Sequence, residues 1–368
     1  MKKMTKLAAL LFASFSGVVF AGSYTTPGTL EDYIPDPKTP NDTFFYVDLG
    51  TNYYHFDFAD TTLPISIGAG SLATGFSSTP ADDTDTAEWT YQPNIALGMH
   101  FYNSNDALAK FFGNENDIEF QYSYAHISGD ESVDYDYQPG TVFLIDGDPL
   151  QSPLTGNIFF TNTYTDYEQT LQTFTLLYRG NKEYRYFTNS PYTGVTLVKL
   201  DQDDDYSLTY KFASTSGATS MYGNGSDDLT SYYYGLILGD RMTIPVAHYF
   251  AAYADASVTP MGLHTSLDSS EIALTQSALG VAYLNQERTV ETTDNKLTFT
   301  AKGEVGLNMY LKGNDNPRSV RLTILGGVQY WHDVPYANNP NATGESVEID
   351  YNDSTTYYTG LQLYIPFA

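Results

Sequence analysis

The sequence predicts an all-β chain, closed as a transmembrane antiparallel up-and-down β-barrel of about 12 strands, with 10 or 14 as the alternatives. Three observations carry this. The stretch 297–311 sets Leu297, Phe299, Ala301, Val305, Leu307, Met309 and Leu311 on one parity, and Thr298, Thr300, Lys302, Glu304, Asn308 and Tyr310 on the other. Side chains on a strand alternate faces, so this segment has one apolar and one wet face. It outlasts a soluble strand of about 5–6 residues and covers the roughly 9–11 that a tilted bilayer-crossing strand needs. Second, the chain opens with an export signal but holds no later apolar run of the ~18 residues that mark a crossing helix, which leaves strands as its membrane-spanning material. Third, the last residues repeat the alternation and end near an aromatic, Phe367.

The export signal is a basic start, Lys2, Lys3 and Lys6, followed by the apolar run 7–20. Val19 and Ala21 occupy the small-residue positions of a cleavage site, so residues 1–21 are expected to leave after Ala21. The run is about 14 residues, short of the roughly 20 that a membrane anchor needs. An exported chain with only strands to span with points to the outer of two membranes. The chain has no Cys, which excludes disulfides, thiolate metal sites and a lipid-modified N-terminal Cys. Asp and Glu total 44 against 17 Lys and Arg, a formal net charge of −27, so its bulk field does not seek nucleic acid or anionic lipid. Tyr numbers 33 and Phe 21, a supply suited to the two aromatic girdles of a barrel.

Residues 22–42 hold four Pro and no period, and read as an extended periplasmic lead-in to a single barrel domain, 43–368. The first strand is 43–59, where the apolar parity switches between Leu49 and Tyr54 and suggests a bulge near 50–53. Residues 60–87 are a Gly/Ser/Thr/Asp-rich loop. Strand 88–102 alternates cleanly, with Pro93 on the apolar side; strand 118–124 sets Ile118, Phe120, Tyr122 and Tyr124 against Glu119, Gln121 and Ser123. The connection 128–168 is too long for an ordinary loop and is expected to carry a hairpin at 141–145. Strands follow at 169–179, 192–200, 206–213, 231–243, 247–258, 271–285 (the weakest), 296–311, 319–331 and 355–367. This count places a long inner turn at 214–230 and a very short outer one at 244–246, against the rule of short periplasmic turns and long outer loops.

The last strand sets Tyr357, Thr359, Leu361, Leu363, Ile365 and Phe367 against Tyr358, Gly360, Gln362, Tyr364 and Pro366. Here the chain resembles the Gram-negative outer-membrane β-barrel proteins, whose terminal strand alternates and ends in an aromatic. The resemblance implies outer-membrane residence and assembly by the barrel-assembly machinery, with Leu361, Leu363, Ile365 and Phe367 as the assembly signal. Ala368 follows Phe367, so the aromatic is penultimate, a departure from the family pattern. The resemblance covers most of the mature chain and does not identify a subfamily. A TonB-dependent transporter would be longer, with an N-terminal plug. A peptidoglycan-anchored barrel would add a C-terminal domain. A trimeric porin would have about 16 strands.

Strand parity puts Glu119, Lys211, Lys302, Glu304 and Arg321 on the lumen side. Such charges either set selectivity in an open pore or pair across the interior and close it. Acidic clusters occur at Asp82, Asp83, Asp85 and Glu88; at Asp130, Glu131, Asp134 and Asp136; and at Asp201, Asp203, Asp204 and Asp205. Read as loops, they either join the divalent-cation network of lipopolysaccharide or simply solvate the surface. No segment has EF-hand spacing. A phospholipase-like enzyme needs a His within reach of a Ser; none of His55, His100, His126, His248, His264 and His332 lies in a His-x-Ser-x-Gly motif. The expectation is therefore no catalytic residue, no cofactor and no dedicated metal ligand. The leading functional expectation is a porin-like passive channel for small solutes or ions, with cation preference. The alternatives are a closed-lumen barrel with a structural, adhesive or lipopolysaccharide-binding role, an outer-membrane phospholipase-like enzyme, and a soluble secreted all-β protein.

Overall fold

The computed structural model describes residues 43–56, 65–71, 75–80, 88–102, 110–136, 141–145, 157–214, 217–276, 282–312, 318–338 and 347–367. The export signal and the 22–42 lead-in lie outside the described residues. The strands are β1 (Phe44–Phe56), β2 (Ile65–Ser71), β3 (Gly75–Pro80), β4 (Glu88–Tyr102), β5 (Glu115–Asp136), β6 (Thr141–Ile145), β7 (Asn157–Glu183), β8 (Thr188–Ser214), β9 (Gly217–Ala247), β10 (Phe250–Gln276), β11 (Ala282–Tyr310), β12 (Arg321–Asn338) and β13 (Glu348–Phe367). Ten of them close into one barrel in the order β1-β13-β12-β11-β10-β9-β8-β7-β5-β4. Each barrel strand is antiparallel to its neighbours, and the seam is the pairing of β1 with β13, from Phe45 opposite Phe367 to Tyr54 opposite Tyr358. Closure pairs the strand edges around the lower ring, the condition for a sheet to sit in hydrocarbon, while the upper parts of β5 and β11 are laddered on one side.

The ring is thus an up-and-down barrel of ten strands, the smaller of the counts expected. Alternation alone breaks β8 at Asp201–Asp205, yet those residues lie in mid-strand, in register with β7 and β9. Alternation also suggests a strand at 271–285, but β10 ends at Gln276 and β11 begins at Ala282. Above the apolar zone the outward face is polar, so alternation fades while the strand continues. The supposed inner turn 214–230 is mostly β9, and 244–246 ends that strand just before a two-residue turn at 248–249. With ten strands the two longest connections, 57–87 and 137–156, fall at the same end of the barrel, together with the short ones 215–216 and 277–281. The connections 103–114, 184–187, 248–249 and 311–320 lie at the end that holds the start of β1 and the finish of β13. The long connections 57–87 and 137–156 lie at the other.

Those two long connections supply the remaining sheet, β3-β2-β6. The strand expected at 141–145 exists, but it pairs with β2 rather than forming a hairpin of its own. No bulge interrupts β1: its register with β4 and β13 runs unbroken. Its parity switch has a simpler origin, because Tyr46 and Tyr54 point into the barrel and are buried while Phe45, Leu49 and Tyr53 point out.

The outer surface carries a continuous apolar belt. Leu49, Leu97, Phe120, Leu176, Val195, Leu236, Val305, Ile324 and Leu361 are all exposed, from strands around the whole ring. Aromatics border it: Tyr53 stacks on Trp89 at 4.9 Å between centroids at the upper edge, and Phe45 lies beside Phe367 at 6.3 Å at the lower. The wall is uneven in height. Strands β7 to β11 run 27, 27, 31, 27 and 29 residues, against 13 for β1 and 15 for β4.

Candidate functional site: the lumen and its rim

The lumen is built on a repeated contact between an inward tyrosine and a glycine directly opposite it on the next strand. Tyr46 faces Gly98, Tyr192 faces Gly239, Tyr253 faces Gly306 and Tyr358 faces Gly327. Each ring lies where the glycine lacks a side chain; a Cβ on Gly239 would come within 2.2 Å of the Tyr192 ring. Aromatic cover of a strand glycine of this kind fixes register. Lying flat, each ring delivers its hydroxyl sideways to a carboxylate. Tyr46 donates to Glu119 at 2.7 Å, Tyr192 to Asp255 at 2.6 Å, and Tyr253 and Tyr358 both to Glu304 at 2.8 and 2.9 Å.

Cations complete the layer. Lys302 Nζ is 2.9 Å from Glu304, and Arg241 bridges Asp255 at 2.7 Å and Glu304 at 3.5 Å. Glu304 therefore accepts from four groups. Arg179 approaches Glu119 at 4.0 Å, and Arg321 approaches Asp48 at 3.9 Å. Two cavities flank this layer, one of about 290 Å³ at the lower mouth and one of about 240 Å³ above it. Glu119, Arg179, Arg241 and Arg321 border both, so the charged layer stands between them.

The upper cavity has an apolar roof. Tyr54, Leu171, Val198, Met261 and Trp331 line it and belong to one buried cluster with Leu200, Tyr233, Leu263 and Val334. A second buried cluster, Leu229, Leu267, Ala337 and Val347, continues the packing upward. From the lower mouth, the described interior passes from a wet vestibule through paired charges to a packed apolar core.

At the upper rim a bulge between Trp331 and Val334 lets both of those residues point inward, and extrudes His332 and Asp333. Among the described residues Asp333 is the one non-glycine with positive φ, 57°, a conformation that Asp tolerates better than most. His332 Nδ1 lies 2.6 Å from Asp353, and its Nε2 lies 3.2 Å from Asp333, which Lys296 holds at 2.9 Å. Burial works against the Asp353 carboxylate, but the nearby Tyr330 hydroxyl together with hydrogen bonds from His332 and the Asp333 N–H outweighs it and holds Asp353 below the usual carboxylate range. The donor atoms of His332, Asp333 and Asp353 lie within 4.8 Å of one another, a set that a transition metal could use. As arranged, the imidazole clasps β11, β12 and β13 through two carboxylates and a lysine. The sequence reading counted His332 only as one isolated histidine; the bulge that assembles the cluster leaves no local signature.

Higher on the wall, carboxylates stand in register on the outward face. Glu168 is opposite Asp203, Asp203 opposite Asp228, Asp228 opposite Asp268, and Asp268 opposite Glu291. All five are exposed. Partial burial, then the neighbouring Asp228 and Asp201, push the Asp203 carboxyl upward; partial burial, Asp205 and Asp268 do the same to Asp228.

Of the residues picked from sequence as lumen-lining, Glu119, Lys302, Glu304 and Arg321 border the cavities and meet in the charged layer just described. The side chain of Lys211 lies outside the described residues. Leu361, Leu363 and Phe367 are exposed on the belt with Ile365 half-exposed beside them, all on the seam strand. Asp82, Asp83 and Asp85 lie outside the described residues. Alternation puts Asp255 on the wet face of its strand but does not mark Arg241, Arg179 or Asp48, whose partners lie on other strands.

No family model matches this chain, and no curated protein matches it. Solved structures do. The outer membrane protease OmpT from Escherichia coli is 10% identical, with 89% of this chain and 98% of that chain covered and a TM-score of 0.39. A Pseudomonas aeruginosa FadL homologue is 8% identical, covers 88% and 90%, and has a TM-score of 0.21. The P. putida toluene transporter TodX is 6% identical, covers 89% and 91%, and has a TM-score of 0.19. These proteins differ in activity, so the functional reading rests on this chain's own geometry.

Proposed function

We propose that this protein is a Gram-negative outer-membrane β-barrel with a closed lumen, acting non-enzymatically at the cell surface as a structural or interaction protein. The observation that carries the reading is the barrier across the described interior: a charged layer in which Glu304 accepts from Lys302, Arg241, Tyr253 and Tyr358, roofed by packed Trp331, Tyr233, Leu171 and Leu200. The closed ring with its apolar belt supports residence in a bilayer, since an exposed surface of that extent is otherwise an aggregation hazard. The tall upper wall and the sheet of β2, β3 and β6 supply the working surface, toward lipopolysaccharide or another cell. Export with cleavage after Ala21 and recognition of Leu361, Leu363, Ile365 and Phe367 by the barrel-assembly machinery belong to the same reading.

Planar-bilayer recording tests it. The refolded chain is expected to give no steady conductance, and the Trp331→Ala, Tyr233→Ala double variant to give ion-conducting events. Regular conductance steps from the unaltered chain would overturn the closed reading in favour of a passive channel. A reversal potential under a salt gradient would then show whether it prefers cations.

A further inference from the structure

Above the apolar roof, polar side chains return to the interior. Gln169 and Gln202 sit opposite each other on β7 and β8, and Asp204 and Asp227 sit opposite each other on β8 and β9. All four point inward and are at most 3% exposed. Among the described residues neither the Nε2 nor the Oε1 of either glutamine has a hydrogen-bond partner. Ser269, on β10 opposite Asp227, is inward and buried as well. Buried amides without partners are costly. A cation held between the strands would give the glutamine oxygens a partner. Directly opposed strand residues hold their Cβ atoms about 4.5–5.5 Å apart, so two carboxylates can share one ion. The glutamine oxygens two residues along the strands add neutral ligands of the type hard cations prefer.

We propose that Asp204, Asp227, Gln169 and Gln202 form a binding site for a hard divalent cation of the calcium class inside the upper lumen. The glutamine oxygens and the two carboxylates ligate it, and the glutamine NH₂ groups donate to carboxylate oxygens or to the ion's remaining waters. Bound there, the ion ties β7, β8 and β9 together and makes the upper wall dependent on calcium. The outward ladder one residue away, Asp203 and Asp228, is a separate surface that attracts cations without caging them.

The test uses the full chain, refolded in detergent and stripped with a chelator. Calcium is expected to raise its unfolding temperature in one saturable step, and terbium excited through tyrosine to report one tight site from which calcium displaces it. Asp204→Asn with Asp227→Asn should weaken that step at least tenfold. Asp203→Asn with Asp228→Asn makes the same change of charge on the opposite face and should leave it intact. Gln202→Met should weaken it severalfold; this variant keeps both carboxylates and decides the matter if the double variant does not fold, as judged by heat-modifiable gel migration. Absence of a tight step in the unaltered chain overturns the proposal. So does a tight step that survives Asp204→Asn with Asp227→Asn, or one that is lost with the outward pair.

Discussion

Glu304 shows how the charges of the lumen divide their work. It is buried, 5% exposed, and accepts from Lys302, Arg241, Tyr253 and Tyr358. Removing one member of a buried ion pair leaves its partners uncompensated and costs about 3–5 kcal/mol. Glu304→Ala is therefore expected to lower the denaturant midpoint of the refolded barrel by that order. Glu304→Gln, which still accepts from the tyrosines, should cost less. A midpoint unchanged in Glu304→Ala would mean that the layer is ornamental. The rim gives a second residue-scale prediction. His332 is held by Asp353 at 2.6 Å and Asp333 at 3.2 Å, so His332→Ala should loosen the β12–β13 edge and speed amide exchange there, leaving exchange of β1 and β4 unchanged. Parity in the sequence sufficed to turn Lys302, Glu304, Glu119 and Arg321 inward. Their partners were not legible, because Arg241 meets Glu304 across 63 residues of chain and only the closed ring brings them together.

At the scale of the strand, tyrosine laid on glycine is the device that sets register. A Cβ on Gly239 would meet Tyr192 at 2.2 Å, whereas on Gly326 the nearest atom, a backbone oxygen, is 3.7 Å away. Gly239→Ala must displace a ring whose hydroxyl is fixed on Asp255 at 2.6 Å. Overpacking of this kind costs about 1–3 kcal/mol. It should lower the temperature at which the band becomes heat-modified, while Gly326→Ala leaves that temperature within error. Equal effects at the two positions would remove the register argument. Strand identity was readable wherever one face met hydrocarbon, as in 88–102 and 297–311. It was lost at Asp201–Asp205, where both faces of β8 become polar although the ladder to β7 and β9 is unbroken. The bulge at Trp331 and Val334 was equally silent, since it is defined by the partner strand and not by its own residues.

For the whole molecule the governing fact is the mismatch between strand length and membrane thickness. The 27 residues of β7 span on the order of 90 Å at about 3.3 Å each, against a hydrocarbon core of ~30 Å. Even steep tilt leaves much of β7 to β11 standing in water, and on the proposed reading that excess, on the side of the longest connections 57–87 and 137–156, faces the cell exterior. Orientation and depth can be tested together, because the chain has no Cys and any introduced thiol reports alone. Asp268→Cys lies on the outward face of the tall wall, Val195→Cys in the belt, and Tyr186→Cys in the connection at the opposite end. A membrane-impermeant maleimide applied to intact cells should label the first alone. Permeabilising the envelope should add the third. Val195→Cys, although 55% exposed on the folded chain, should stay unlabelled until the protein is denatured, because lipid and not water covers it. Labelling of Tyr186→Cys in intact cells would invert the barrel. Labelling of Val195→Cys in the folded protein would remove the belt from the bilayer and return the chain to a soluble all-β reading.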